Sequence, residues 1–341
     1  MESRGMNERI KSLRKQSVEA VPHIYIERAK LITDAYKMYE GTVSVPEMRA
    51  LAFKHFMENR SLCINDHELI VGEKGDSPQA APTFPELCCH TLEDMNVMDS
   101  RDIIFFKVND NDRKIQEEEI IPYWEKRSLR NKMLSNLGEE WKKCYGAGIF
   151  TEFMEQRGPG HTVGGEVFYR KGFLDLKAEV EAQINALDFI NDKEALRRKQ
   201  ELEAMKICCD AIIIYAERYA KYAKELAEKE SDPVRKAELL QIAQNCLVVP
   251  AHAPETYYHA LQMYWFVHIG VTTELNPWDA FSPGRLDQHL YPFYKNDTAK
   301  GILDDTKALE LLECLWVKFN NQPAPPKVGI TLKESSTYTD F

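Results

Sequence analysis

Several things that would settle a class at once are missing from this sequence. No run of about 18 apolar residues, the length a helix needs to span a bilayer, occurs anywhere. The most apolar helical stretch, residues 260–271, is shorter than that and contains His268. The N-terminus lacks the apolar core of a secretory signal. Basic residues are in deficit: 44 Lys plus Arg stand against 54 Asp plus Glu, so the net charge is −10. That balance argues against non-specific nucleic-acid binding, which needs a basic face to displace counterions from phosphates. No HExxH motif occurs, and Cys88-Cys89-His90 and Cys208-Cys209 lack the gap that lets two thiolates grip one tetrahedral zinc. In a chain with no signal, the eight cysteines read as reduced thiols of a cytoplasmic protein.

What remains is ordinary globular composition, 44% hydrophobic and 29% charged. A chain of 341 residues has room for two domains or one large one. With no internal repeat and no low-complexity linker, one large mixed domain over 1–341 is expected. Helical periodicity dominates. Leu202, Met205, Cys209, Ile212, Ala216, Tyr219, Ala223 and Leu226 step by three and four onto one stripe. Ser231-Asp232-Pro233 supplies a cap and a first-turn proline for the next helix. Further helices are expected from about Pro254 to Gly270 and from Thr306 to Asn320. Strands are expected at Glu68–Gly72, Asp102–Val108 and Val328–Lys333. The class is therefore helix-rich α/β.

Candidate chemistry sits in two clusters. Gly158-Pro159-Gly160-His161-Thr162 continues to Gly164-Gly165 but lacks the spacing of a dinucleotide fingerprint and the lysine of a phosphate loop. His161, between glycines, lies where backbone can approach a ligand closely. The segment 273–294 packs acids, Arg285 and aromatics together. Arg285 and Asp287 suit a loop-holding ion pair. Asp279, flanked by Trp278 and Phe281, is a carboxylate among aromatics, a setting that raises its pKa and suits proton transfer or amine binding. These residues alone define a polar-aromatic pocket without naming a reaction.

Taken together, ordered fragments resemble the glycyl radical enzymes, the pyruvate formate-lyase-like family. They are Ile26-Glu27-Arg28-Ala29 with Tyr36, Arg49-Ala50, Glu68 to Gly72, Ala81 to Glu86, Pro159 to Thr162, Pro250-Ala251, Glu255 to Phe266, Ser282 to Gln288 and Leu311 to Lys318. Within the family, Phe84 to Thr91, Phe153 to Arg157 and Asn320 to Phe341 are similar to the branch that dehydrates 4-hydroxyproline.

The resemblance implies the N-terminal half of a ten-stranded β/α barrel, dimeric when complete and working in an anaerobic cytoplasm. It implies no bound cofactor but a protein glycyl radical, installed by a separate radical-SAM iron–sulfur activase and passed to a cysteine. It implies a small hydroxyproline-like substrate, with Phe153 against the ring, His161 facing the leaving hydroxyl and Asp279 at the ring amine. Ser335 takes a polar substrate group and Phe341 forms an apolar wall. The Gly-Cys-Val-Glu-like and Arg-Val-x-Gly-Tyr-like motifs expected for the radical residues do not occur in the 341 residues. The chain is accordingly expected to be truncated, inactive alone and poorly soluble. The alternatives are a family member with another small substrate (formate C-acetyltransferase, diol, glycerol or choline-type lyase) and a non-catalytic truncated or split-gene product.

Overall fold

A computed structural model describes residues 7–150, 164–275, 282–323, 326 and 328. In chain order the elements are α1 (Glu8–Glu19), β1 (His23–Tyr25), α2 (Ile26–Tyr39), α3 (Val45–Asn59), β2 (Ala80–Pro82) and α4 (Leu92–Ser100). There follow α5 (Asp110–Ile115), a π-turn segment (Gln116–Ile120), α6 (Ile121–Trp124), α7 (Leu129–Ser135), α8 (Glu139–Gly146) and a 3₁₀ turn (Gly165–Tyr169). The rest is α9 (Phe173–Asn185), α10 (Ala195–Lys229), α11 (Pro233–Val248), α12 (Tyr257–Leu275), α13 (Leu286–Ala299) and α14 (Asp305–Asn320). This is a helix-rich α/β arrangement whose described sheet is a single parallel pair, β1 with β2, in the register His23 to Ala80.

Caps set the helix boundaries. Ser44 and Glu47 form a reciprocal capping box at α3, and Thr91 and Asp94 do the same at α4. Asp232 caps α11, with Pro233 in the first turn as expected. At 35 residues, α10 is about 50 Å long at 1.5 Å per residue, and it packs against α3, α9 and α11. Most of its expected stripe is buried, from Cys209 through Ala223, but Met205 is 54% exposed. Ala204, Ala211, Tyr215 and Ala220 are buried beside the stripe, because α10 is covered on more than one side. The core helix is α12. It is buried continuously from His259 to Gly270, which explains why its sequence is apolar all round and has no polar face. No described helix is long and apolar enough to cross a membrane.

Two strand expectations fail. Residues 68–72 form no strand and pair with none among the described residues; the Gln262 side chain on α12 bonds Val71 instead, accepting from its N–H at 2.9 Å and donating to its C=O at 2.8 Å. Residues 102–108 contribute one isolated bridge, Lys107 with His23. The third, Val328–Lys333, lies outside the described residues apart from Val328. The strands among the described residues are only three residues long, too short for an alternation signal.

Candidate active site

Of the site residues expected from the sequence, Phe153, His161, Asp279, Ser335 and Phe341 all lie outside the described residues. What the structure does describe is the frame from which those segments depart, and it is built on buried charge. The exit of α12, which leads to Asp279, is tied down by Arg28. This guanidinium on α2 is fully buried and donates from Nε to Thr273 O at 2.7 Å. Its Nη1 donates to Thr83 O at 3.0 Å, and its Nη2 pairs with Glu86 Oε1 at 2.7 Å. The group also lies over the Phe84 ring, 3.5 Å from the centroid. One side chain thus joins α2, the α12 exit and the loop after β2, at a depth where such bonds are strong and their loss costly.

The chain leading toward Ser335 is anchored by a second cluster. Lys318 on α14 bonds Glu68 and Glu73, the latter at 2.5 Å, and Asn321 donates to Glu73 at 2.8 Å. Burial pulls the Lys318 ammonium down, but the two carboxylates outweigh it and hold the group above its ordinary value. Burial pushes Glu73 up, against the pull of Lys318. Beyond this cluster, His268 Nε2 meets Gln322 Oε1 at 3.0 Å and its Nδ1 meets Tyr264 OH at 3.2 Å. Burial drives this imidazole down to about 4, so it is neutral at physiological pH.

Between the two clusters lies Lys74. It is 5% exposed and makes no hydrogen bond or ion pair with a described residue. Burial first, and the neighbouring Arg28 charge second, lower its pKa to about 8. Next to it, Gly72 adopts φ +120°, a conformation open to glycine, and its carbonyl accepts from Trp265 Nε1 at 2.7 Å. A Cβ there would stand 3.3 Å from the indole.

The expected Arg285–Asp287 ion pair does not form: neither residue has an ionic partner among the described residues. All eight cysteines are free of disulfides. Burial lifts the Cys89 and Cys208 thiols to about 12 and Cys209 to about 11, so these are inert packing groups. No cluster of three metal-ligating side chains exists among the described residues.

With this frame in view, comparison with known proteins is decisive for the family. The family model described as pyruvate formate lyase-like matches residues 6–341. The chain belongs to this family. Trans-4-hydroxy-L-proline dehydratase of Clostridioides difficile is 65% identical over 339 residues, which is 99% of this chain and 43% of that enzyme. A crystal structure of hydroxyproline dehydratase from the same organism, with substrate trans-4-hydroxy-L-proline bound, superposes with a TM-score of 0.94 at 65% identity, over 99% of this chain and 43% of that one. A glycyl radical enzyme from Archaeoglobus fulgidus is 34% identical with a TM-score of 0.83, over 93% of this chain and 40% of its own. The chain therefore spans less than half the length of the family members it matches.

Sequence reasoning missed Arg28, Lys74, Glu73, Glu86 and Lys318 as a frame. One signal was present: Arg28 stands in an otherwise apolar helical pattern with Ile26, Ala29 and Ile32, a position where a charge must find partners.

Proposed function

We propose that this chain forms part of a glycyl radical dehydratase that removes water from trans-4-hydroxy-L-proline to give a pyrroline carboxylate. The observation that carries this reading is 65% identity across 99% of the chain to an enzyme of that activity. The glycyl radical would supply, by way of a cysteine to which it passes, the means to abstract a hydrogen from the substrate. No cysteine of this chain is assigned a part in that step, since none stands in the expected motif.

The roles proposed for this chain's own residues are binding and proton transfer. Phe153 packs on the substrate ring, His161 faces the departing hydroxyl as donor or acid, and Asp279 holds the ring amine or relays its proton. Ser335 binds a polar substrate group and Phe341 walls the apolar side. The pocket must exclude water and oxygen, which suits residues carried on segments tied to a buried frame. The proposed partners are a radical-SAM iron–sulfur activase and a second copy in the complete enzyme, a cytoplasmic homodimer built as a ten-stranded barrel.

The test combines this chain anaerobically with a polypeptide matching the remainder of the dehydratase and with the activase. The expected result is a glycyl radical by electron paramagnetic resonance and pyrroline carboxylate from trans-4-hydroxy-L-proline. A radical with turnover only of a diol, glycerol or choline-type substrate would replace the dehydration of hydroxyproline with another activity of the family. No radical and no product would sink the split-enzyme reading.

A further inference from the structure

Helices α13 and α14 enclose a surface groove of about 390 Å³ that the proposed reaction does not use. Its aliphatic lining includes the buried Leu286 and Leu290 on α13 and Ala308 on α14. Two aromatic walls rise from it. On α13, Tyr291 and Tyr294 stand 6.3 Å apart at 29°, and Tyr291 is 59% exposed. On α14, Trp316 is 51% exposed and meets Phe319 at 5.3 Å, while no described ring contact joins it to either tyrosine. The walls therefore face an open slot instead of closing on each other.

The polar content of the slot is of one sign. Asp287 and Asp305 line it, and no lysine, arginine or histidine does. Tyr294 OH donates to Asp305 at 2.7 Å, which fixes that ring; Asp287 has no partner among the described residues. Aromatic faces carry negative quadrupole charge, so tyrosine, tryptophan and carboxylates around an apolar floor favour a cation with an apolar body. An anion would meet two carboxylates, and a neutral ligand would leave them unused.

We propose that this groove is a binding site for a small alkylated ammonium ion, held between Tyr291 and Trp316 and neutralised by Asp287 and Asp305. The site is separate from the dehydration chemistry and stands whether or not that reading holds.

The probe is tetramethylammonium, with tert-butanol as its uncharged counterpart of similar size, titrated into the full chain while the Trp316 indole N–H resonance is followed. The expected result is a saturable shift with tetramethylammonium at least about tenfold tighter than with tert-butanol, a difference of about 1.4 kcal/mol. Tyr291→Leu removes one aromatic wall, keeps the Trp316 reporter and should abolish the preference. Asp287→Asn should weaken tetramethylammonium severalfold and leave tert-butanol unchanged, and an unaltered melting temperature would certify folding of both variants. Equal affinity for the two probes, or no shift with either, overturns the proposal. So does self-association that buries Trp316 at the working concentration, since a second copy would then be the occupant.

Discussion

The single residue that joins most of the frame is Arg28. Replacing it by methionine strips the buried Glu86 carboxylate of its guanidinium, so Arg28→Met should destabilise the chain by roughly 3 kcal/mol in urea unfolding. A double variant with Glu86→Leu should recover part of that loss, and strict additivity of the two would show that the pair is not coupled. Lys74 makes the opposite prediction. Its pKa is about 8 in the fold and about 10.4 in the unfolded chain, so between those values the unfolded state binds the extra proton. Stability owed to this group therefore rises from pH 8 toward pH 10, and below pH 8 the fold carries the full cost of the buried charge. Lys74→Met should be more stable than wild type at pH 7, by on the order of 2 kcal/mol, with the difference shrinking by pH 10. A difference that stays constant over that range would show that Lys74 is not titrating there. For catalysis, His161→Ala or Asp279→Asn in the complete enzyme should lower dehydration by ~10²-fold or more. Wild-type turnover in either variant would end that assignment. Neither the Arg28 contacts nor the lack of a partner for Lys74 among the described residues was legible beforehand. Arg28 meets partners 58 and 245 positions away, and no local pattern encodes such distances.

At the scale of elements, the helices were legible because their information is local. The α10 stripe, the Asp232 cap and the α14 boundaries follow from periodicity and capping within a turn or two. Strands failed where the hydrogen-bonding partner was not a strand. The run at 68–72 looks like a strand because it is buried, but the Gln262 amide satisfies its central residue from a helix. Gln262→Leu keeps the volume and leaves the Val71 N–H and C=O buried without that partner. It should cost about 2–4 kcal/mol and raise amide exchange at Val71. Unchanged exchange there would show that the side-chain bracket is dispensable. The residues expected in the active site came from family resemblance more than from local chemistry: Asp279 among aromatics was suggestive, but Ser335 and Phe341 stand in segments with no independent signal.

At the scale of the whole molecule, the chain carries an apolar groove open to solvent, of about 820 Å³, beside α11 and α12. Exposed apolar surface of this kind favours association. The isolated chain should bind hydrophobic dyes and self-associate with rising concentration. A monodisperse monomer with a sharp melt and no dye binding would show that this surface is tolerated as it stands. The first described helix adds a constraint in time. Arg9 on α1 pairs with Glu238 on α11 and Glu310 on α14 and donates to His67 O at 2.7 Å, and Asn7 donates to Glu310 at 3.0 Å. A ribosome releases the chain from its N-terminus, at roughly 5–20 residues per second. Helix α1 therefore gains its anchors in steps, His67 first, Glu238 next, and Glu310 only once α14 has emerged. An early helix is thus fully seated late, and until then its apolar residues Ile10 and Leu13 lack the α14 face they pack beside and are open to whatever the cell offers in its place.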